Sequence, residues 1–302
     1  MQQLSVIFIG TAAFGVPILN ALACNSGFQI PFVITGQDKP KGRGLKLSFS
    51  PIKNASIANK LIVQQPKTIN ELKQQLMQTK PDYLLVVAYS EIIKKEILDI
   101  PVIGAVNVHA SLLPKYRGAS PIQEAILHGD SQTGITWIKM DSGMDTGDII
   151  AQKSLLISEN DTFETLAKLL SDLAAQNTVE TLKKFAENKI STPQNNSLAT
   201  YCRKIQKNDG FIDTYKQTAQ EILRKIRAYT PWPGCSILWN GKRLKITQAA
   251  IGEQKISSGE IKILNSKTLA IGTLKETLLP LKVQPESKRE MDIEEFIRGL
   301  KK

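Results

Sequence analysis

The sequence predicts an α/β protein of two domains, in which an open, mostly parallel sheet is followed by a smaller β-barrel domain. The length of 302 residues is too great for one typical domain and suits two. Short apolar runs alternate with helix-like segments through the first half, which is typical of a parallel sheet covered on both faces. Short strands separated by turn signals dominate the last third, which is typical of a small barrel.

The apolar runs of the first half predict buried strands because they are short and bounded by turn residues. The helical segment that follows the fourth strand begins with Ser120 as N-cap and Pro121 as its first residue. The predicted strands lie at 6–10, 32–35, 83–89 and 105–109, and the predicted helices lie around 15–23, 51–61, 69–79 and 120–128.

Two more strands, at 134–140 and 148–157, are expected to join the sheet after the alternating units. A long helix then runs to about residue 187. Asp161 is its predicted N-cap, because Glu164 follows three residues later as in a capping box.

Residues 188–205 are polar and show no hydrophobic period, which indicates a linker. We therefore predict a first domain at residues 1–189, a linker at 190–205 and a second domain at 206–302.

Local signals within the second domain predict one helix followed by strands. Thr218 and Glu221 form a capping box that opens the helix. Asn240 and Gly241 lie between two apolar runs, which predicts a two-residue hairpin turn.

The net charge of +11 is unevenly distributed. Residues 1–205 contain 21 basic and 17 acidic residues, whereas residues 206–302 contain 18 basic and 11 acidic residues, so the shorter part carries the larger excess. Such a surplus suggests a polyanionic partner. A lysine-rich composition that only maintains solubility explains it equally well.

Several classes of protein are disfavoured. No apolar run is long enough for a membrane span, and the N-terminus is typical of a first strand, without the basic region of a signal peptide. Cys24, Cys202 and Cys235 are scattered, so we expect neither a disulfide framework nor a metal site. The expected location is the cytoplasm.

One strand carries polar residues where a buried strand would carry apolar ones. In AVNVH, Asn107 and His109 share a face while Val106 and Val108 share the other. Ligands of open α/β sheets bind at the carboxyl ends of the strands, where this pair lies. Burying both groups without partners costs on the order of 1–3 kcal/mol each. A binding or catalytic site is therefore favoured over a purely structural role.

Other catalytic motifs are missing from the sequence. It contains no G-x-S-x-G elbow, no cysteine near a histidine and no H-E-x-x-H spacing. The segment from Gly10 to Gly15 lacks the spacing of a dinucleotide-binding loop, and we interpret it as a turn. We therefore expect neither a protein nucleophile nor a bound redox cofactor.

The loop DSGMDTGD contains Asp141, Asp145 and Asp148. Its spacing favours a simple hairpin turn. If Asp145 approaches His109, however, its charge would favour the imidazolium. The imidazolium and the amide of Asn107 would then be two hydrogen-bond donors. Such a pair is suited to stabilise an oxyanion that forms when the substrate's own nucleophile attacks a carbonyl. We assign no role to the other histidine, His128.

Basic residues are concentrated in TGQDKPKGRGLK, residues 35–46. This segment can be interpreted either as an ordinary solvated loop or as an arm that contacts phosphates. The second interpretation explains the positive net charge of the protein better. The basic residues are Lys39, Lys41, Arg43 and Lys46.

With these motifs in place, the sequence resembles the methionyl-tRNA formyltransferase family of folate-dependent formyltransferases, along nearly its whole length. The most specific matches are VNVHASLLPKYRGASPIQ and MDTGD. Further matches are VVAY, the GRG loop, SPIK and IRAYTPWPG.

The resemblance implies roles for individual residues. Asn107, His109 and Asp145 occupy the positions of the family's catalytic triad. The basic residues named above occupy the loop that contacts tRNA. The positions implied to bind folate are Val87, Ala88, Tyr89, Ser111, Leu112, Leu113, Pro114 and Asp141.

The resemblance also implies a fold and an activity. The fold would be a Rossmann-like formyltransferase domain followed by an OB-like barrel. The enzyme would use 10-formyltetrahydrofolate as co-substrate, without a metal, to formylate methionyl-initiator tRNA for translation initiation. It would act as a monomer with no membrane partner.

Three alternatives remain at this stage. A formyltransferase for glycinamide ribonucleotide or an amino sugar nucleotide would keep the Asn-x-His pair but has no need of a basic barrel. An RNA-binding protein that has lost its chemistry would not need the Asn-His-Asp set. A nicotinamide-dependent oxidoreductase would need the missing dinucleotide fingerprint.

Overall fold

The computed structural model describes residues 3–41 and 46–300. The chain forms two compact units. The first consists of Met1–Gly118, Gln132–Leu156 and Ala167–Cys202, and the second of Ala119–Ser131, Ile157–Leu166 and Arg203–Lys302. Two short segments from within the first 189 residues thus belong to the second unit. The domain and linker boundaries drawn from the sequence stay predictions.

The strands and helices are numbered in chain order. The strands are β1 Leu4–Gly10, β2 Phe28–Gln29, β3 Val33–Ile34, β4 Lys39–Lys41, β5 Lys46–Ser48, β6 Val63–Gln64, β7 Tyr83–Val87, β8 Gly104–His109, β9 Arg117–Gly118, β10 Gln132–Lys139, β11 Ile149–Leu156, β12 Tyr201–Cys202, β13 Cys235–Trp239, β14 Lys242–Gly252, β15 Ile261–Asn265, β16 Thr268–Gly272, β17 Thr277–Pro285 and β18 Met291–Asp292. The helices are α1 Val16–Ala23, α2 Pro51–Ala58, α3 Lys73–Thr79, α4 Lys95–Leu98, α5 Pro121–His128, α6 Phe163–Asn188, α7 Ala219–Tyr229 and α8 Ile293–Leu300.

The first unit is built on a mostly parallel sheet in the order β11-β10-β8-β7-β1-β3-β6, with β2 paired to β1. The strands from β8 to β6 are parallel, whereas β10 and β11 are antiparallel additions. The predicted α/β class with a Rossmann-like sheet is confirmed.

Both faces of this sheet are covered. On one face, Ile7, Ile9, Leu84 and Val86 join a buried apolar cluster, and full burial of such a side chain contributes about 1.5–3 kcal/mol. On the other face the long helix α6 lies over the strands: Tyr83 donates its hydroxyl to the Leu182 carbonyl, and Trp137 donates its indole N–H to Thr178.

Two helix starts differ in detail from the sequence expectation. Helix α6 begins at Phe163, so its N-cap position is Thr162, and the prediction of Asp161 was wrong by one residue. Asp161 instead accepts the Ser158 backbone N–H in the turn before the helix. Ser120 is the N-cap of α5, but its hydroxyl donates to the Arg203 carbonyl and makes no cap hydrogen bond.

The second unit contains a six-stranded antiparallel sheet in the order β13-β14-β17-β16-β15, with β18 paired to β17. The Thr218–Glu221 capping box opens α7 as predicted. Asn240 and Gly241 both have positive φ, 49° and 71°, which suits the tight turn between β13 and β14. A smaller β domain after the α/β domain is thereby confirmed.

The polar segment that precedes the second unit is partly built into the first. Thr192 forms an antiparallel bridge with Ile149, and strand β12 pairs in parallel with β9. These contacts are made by backbone and polar groups, which leave no hydrophobic period in the sequence.

Candidate active site

Asn107 and His109 lie on one face of β8, as their spacing predicted. Val108 between them is the cross-strand partner of Trp137. Because directly paired residues share a face, Val108 faces the helix α6 and the two polar side chains face the opposite side. Asn107 is half-buried and His109 is only 6% exposed.

Asp145 joins this pair. Its Oδ1 accepts a hydrogen bond from Asn107 Nδ2 at 3.0 Å, and its Oδ2 lies 3.5 Å from His109 Nδ1. The same Oδ2 accepts the backbone N–H of Gly118 at 2.9 Å. The interpretation of DSGMDTGD as only a hairpin turn is therefore incomplete.

Asp145 reaches the pair by an indirect path. Strand β10 runs antiparallel to β8, so the loop that follows it starts beside the amino-terminal half of β8, where Met140 N–H bonds the Ala105 carbonyl. The loop then folds back across the sheet, and Asp145 adopts a left-handed φ of 54°. Such a conformation in a residue with a Cβ persists only when surrounding contacts hold it.

Both ring nitrogens of His109 face oxygen acceptors. Nε2 lies 2.9 Å from the Tyr116 carbonyl oxygen and Nδ1 faces the Asp145 carboxylate. Both partners are acceptors, and only the imidazolium carries a hydrogen on both nitrogens.

Two glycines are required by close backbone approaches at the site. A Cβ on Gly118, whose φ is +119°, would lie 2.1 Å from the Cys202 carbonyl oxygen. A Cβ on Gly147 would lie 1.7 Å from the Lys139 carbonyl oxygen. The first glycine lets β9 pair with β12 while its N–H reaches Asp145, and the second lets the loop return to β10.

Three of the positions implied to bind folate have buried side chains, namely Val87, Ser111 and Leu113. Ser111 donates its hydroxyl to the Lys115 carbonyl, and Leu113 N–H bonds the Thr136 hydroxyl. Ser111 and Leu113 thereby shape the loop after β8. The positions with solvent-exposed surface are Ala88, Tyr89, Leu112, Pro114 and Asp141.

Tyr89 and Asp141 are held by local hydrogen bonds. The Tyr89 hydroxyl donates to Glu91, and burial together with this acid raises the pKa of Tyr89 well above its usual value. Asp141 accepts the Gly143 N–H and the Thr146 hydroxyl. These hydrogen bonds fix the orientation of both side chains.

The basic loop forms the pair of short strands β4 and β5, which we call the basic arm (residues 39–48). Lys39 is exposed at its start. Arg43 lies outside the described residues, as do the side chains of Lys41 and Lys46, so the structure describes only Lys39 of the four predicted tRNA contacts.

Lys53, on helix α2, connects both ends of this arm. Its ammonium lies 2.5 Å from Asp38 just before β4, and 4.0 Å from the centroid of the Phe49 ring just after β5. Gln65 bonds both Asp38 and Lys53. Hydrogen bonds from Lys53 and Gln65 lower the pKa of Asp38 below its ordinary value.

The site also uses groups that sequence reasoning did not select. These are the Tyr116 carbonyl, the Gly118 N–H and the side chain of Gln194, which donates to the Asp145 and Gly147 carbonyls. The first two are main-chain groups, for which residue type carries little information. Gln194 lies in the polar segment that was interpreted as a linker.

Among the described residues, no group of three or more His, Cys, Asp and Glu side chains is arranged to hold a metal ion. Nor does any helix in residues 3–41 and 46–300 have the length and apolar character needed to cross a membrane.

Two family models match the chain. Residues 3–182 match the model described as formyl transferase, and residues 204–301 match the one described as formyl transferase, C-terminal domain.

Curated relatives are similar along nearly the whole chain. The chain is 42% identical over 299 residues to a methionyl-tRNA formyltransferase of Koribacter versatilis (strain Ellin345). The aligned region covers 97% of this chain and 95% of the relative. It is also 42% identical to a methionyl-tRNA formyltransferase of Caldanaerobacter subterraneus subsp. tengcongensis, with coverages of 97% and 96%.

Solved structures with low identity share the fold. An N-formyltransferase from Helicobacter canadensis, in complex with folinic acid and dTDP-3-aminofucose, matches with a TM-score of 0.69 at 20% identity, covering 94% of this chain and 100% of that one. A methionyl-tRNA formyltransferase from Clostridium thermocellum matches with a TM-score of 0.57 at 22% identity, covering 83% and 95%.

Proposed function

Because this chain belongs to the methionyl-tRNA formyltransferase family, we propose that it transfers the formyl group of 10-formyltetrahydrofolate to the α-amino group of methionyl-initiator tRNA. The observation that carries the chemistry is the convergence of Asn107, His109 and Asp145 from two distant segments. The product is the formylated tRNA used in translation initiation. We further expect a cytoplasmic monomer that uses folate as co-substrate and needs no metal.

In the proposed mechanism the neutral α-amine attacks the formyl carbon, and a tetrahedral oxyanion forms. Asn107 Nδ2 carries two hydrogens; one goes to Asp145, and no other described residue accepts the second. That hydrogen is suited to donate to the oxyanion. A preorganised donor of this kind typically contributes about 10²- to 10³-fold in rate.

His109 would stabilise the same charge as an imidazolium. Its Nε2 hydrogen is held by the Tyr116 carbonyl at 2.9 Å, whereas the 3.5 Å contact from Nδ1 to Asp145 is longer than a good hydrogen bond. A substrate oxygen would therefore compete for the Nδ1 hydrogen. The oxyanion then collapses as the bond between the formyl carbon and N10 of the folate breaks. Asp145 would hold the imidazolium in place and, through water, pass the proton lost by the attacking α-amine to the departing N10 arylamine.

We assign the folate subsite to the loops that follow β7 and β8. Ala88, Tyr89, Leu112 and Pro114 have exposed surface there. Ala88 has a left-handed φ of 47°, and such strained positions concentrate at ligand sites. The buried Val87, Ser111 and Leu113 would support this surface and offer main-chain groups.

The experiment that tests this function is incubation with formyl-labelled 10-formyltetrahydrofolate and one acceptor at a time. The acceptors are methionyl-tRNA, uncharged tRNA, free methionine, glycinamide ribonucleotide and an amino sugar nucleotide. We expect label on the amino group of methionyl-tRNA alone. Preferred labelling of any of the three small amines would contradict the proposal. A lack of label on every acceptor would indicate a binding protein without this chemistry.

Binding of tRNA is expected to weaken steeply with salt. The net charge of +11 and the proposed phosphate contacts imply release of counterions, so the logarithm of affinity should fall linearly with the logarithm of salt concentration. Filter binding of methionyl-tRNA between about 50 and 200 mM salt measures the slope, which for six to ten contacts corresponds to about 10³- to 10⁵-fold. A flat profile would exclude a phosphate-dominated interface.

Replacing Lys53 by methionine is expected to impair use of tRNA while leaving folate binding intact. The change removes both the ion pair with Asp38 and the contact with Phe49, which together tie down the two ends of the basic arm. We expect KM for methionyl-tRNA to rise about tenfold, equivalent to ~1.4 kcal/mol. Steady-state kinetics with either substrate varied measures the effect.

Lys60→Met is the matched control, because it removes the same charge from an exposed position just after α2. An equal rise of KM in both variants would assign the effect to overall charge and contradict a role of Lys53 in orienting the arm.

A further inference from the structure

Gln194 uses its entire hydrogen-bonding capacity to join two parts of the first unit. Its Oε1 accepts from Arg117 Nε at 3.1 Å and from Arg117 Nη2 at 2.8 Å. Its Nε2 donates to the Asp145 carbonyl at 2.8 Å and to the Gly147 carbonyl at 2.7 Å. A side-chain amide has two acceptor positions and two donors, so every one of them is occupied.

The Arg117 end of this connection is fixed. The Arg117 side chain is 1% exposed, and its guanidinium also donates to Asn196 Oδ1 and to the Tyr201 hydroxyl. Its backbone is paired with Tyr201 in the β9–β12 ladder. Gln194 is thus attached to a buried, planar group that is held from several sides.

The other end of this connection is the backbone of the turn from Asp145 to Gly147. Asp145 has a left-handed φ of 54° at the tip of a loop that folds back across the sheet. Asn107 and Gly118 hold only its carboxylate, which does not determine the position of its backbone. Gln194 holds the carbonyls on either side of the Asp145–Gly147 turn.

We propose that Gln194 is a positioning residue for formyl transfer, which acts by holding the backbone of Asp145 so that its carboxylate meets both Asn107 and His109. This inference rests on the proposed function and adds a residue from outside the motifs that carry the family resemblance. Displacing a catalytic group by about 1 Å can cost about 10²-fold in rate.

Gln194→Glu separates positioning from folding. The substitution keeps the size of the side chain and gives Arg117 a carboxylate partner, but it removes both hydrogens donated to the Asp145 and Gly147 carbonyls. We expect kcat to fall about 10²-fold, with KM for both substrates within about threefold. The melting temperature should fall, because two carbonyls lose their donor, but stay above the temperature of the assay.

Asn196→Asp is the matched control. It adds the same charge beside the same guanidinium but makes no hydrogen bond to the Asp145 loop, so kcat should stay within about threefold of the parent. If both variants fold and retain equal kcat, the positioning role is refuted. A parent protein that transfers no formyl group would instead refute the proposed function.

A second variant keeps the test valid if Gln194→Glu does not fold. Gln194→Met has a side chain of similar length and leaves Arg117 bonded to Asn196 and Tyr201, so it removes the bonds to the Asp145 and Gly147 carbonyls without adding a charge. Assayed well below its melting temperature, this variant should show the same loss of kcat. Retention of the parent kcat would overturn the proposal.

The histidine spectrum supplies a signature that loss of stability alone would not produce. The chain contains two histidines, so ¹⁵N imidazole signals are assigned with a His128→Gln variant. In folded Gln194→Glu we expect the His109 signals to shift while those of His128 stay. Unchanged His109 signals would show that Asp145 had not moved and would contradict the inference.

Discussion

His109→Ala is expected to lower kcat for formylation of methionyl-tRNA by about 10²- to 10³-fold, because it removes the cationic donor that would stabilise the oxyanion. The affinity for folate, measured by equilibrium binding, should stay close to that of the parent. Single-turnover kinetics with saturating substrates isolates the chemical step from binding and product release.

His128→Ala is the natural control, since it removes the other histidine of the chain. His128 lies at the end of α5 with a side chain that is 60% exposed, and such surface changes usually alter stability by less than about 0.5 kcal/mol. It should keep the parent rate. Circular dichroism of both variants verifies folding, and near-normal turnover in folded His109→Ala would remove the imidazole from the mechanism.

Asp145→Asn is expected to have an effect at least as large, about 10³-fold in kcat. The carboxylate accepts hydrogen bonds from Asn107 and Gly118 and faces His109. An asparagine has the same shape but places an NH₂ group against one of these donors and carries no charge to hold an imidazolium. Loss of orientation and loss of charge therefore act together.

Asp148→Asn provides the comparison within the same loop. Its carboxylate accepts the Ser191 hydroxyl, a bond that an amide oxygen can also accept. We expect its rate to remain within about threefold of the parent. Rate losses of equal size in Asp145→Asn and Asp148→Asn would indicate a general effect of loop charge and would argue against a specific acid at residue 145.

The alternation of short apolar runs with helical segments was sufficient to predict the parallel sheet. β1, β7 and β8 are buried on both faces, and their residues carry that requirement in their own apolar character. The Thr218 capping box and the Asn240-Gly241 turn were predictable for a similar reason, since each is a contact between residues close in sequence. The short strands β9 and β12 were not, because their pairing joins residues 84 apart by backbone groups.

Within the site, Asn107 and His109 were predictable as a pair because alternation along one strand places them on one face. Asp145 could be named only as a conditional partner of His109, since the spacing of its loop favoured a simple turn, and its assignment rested on the family resemblance. Gln194 gave no local signal, because a glutamine in a polar, unpatterned segment has no feature that distinguishes it from a solvated side chain.

The chain's residue types and their order were enough for the class of fold, the face on which Asn107 and His109 lie, and the family to which the protein belongs. The approach of Asp145 to that pair and the hydrogen bonds from Gln194 to the Asp145 and Gly147 carbonyls became visible only in the folded molecule. The physical reason is that a repeating pattern records burial along one element, whereas these contacts depend on loop backbone that folds back across the sheet and is held by hydrogen bonds from a segment about fifty residues later.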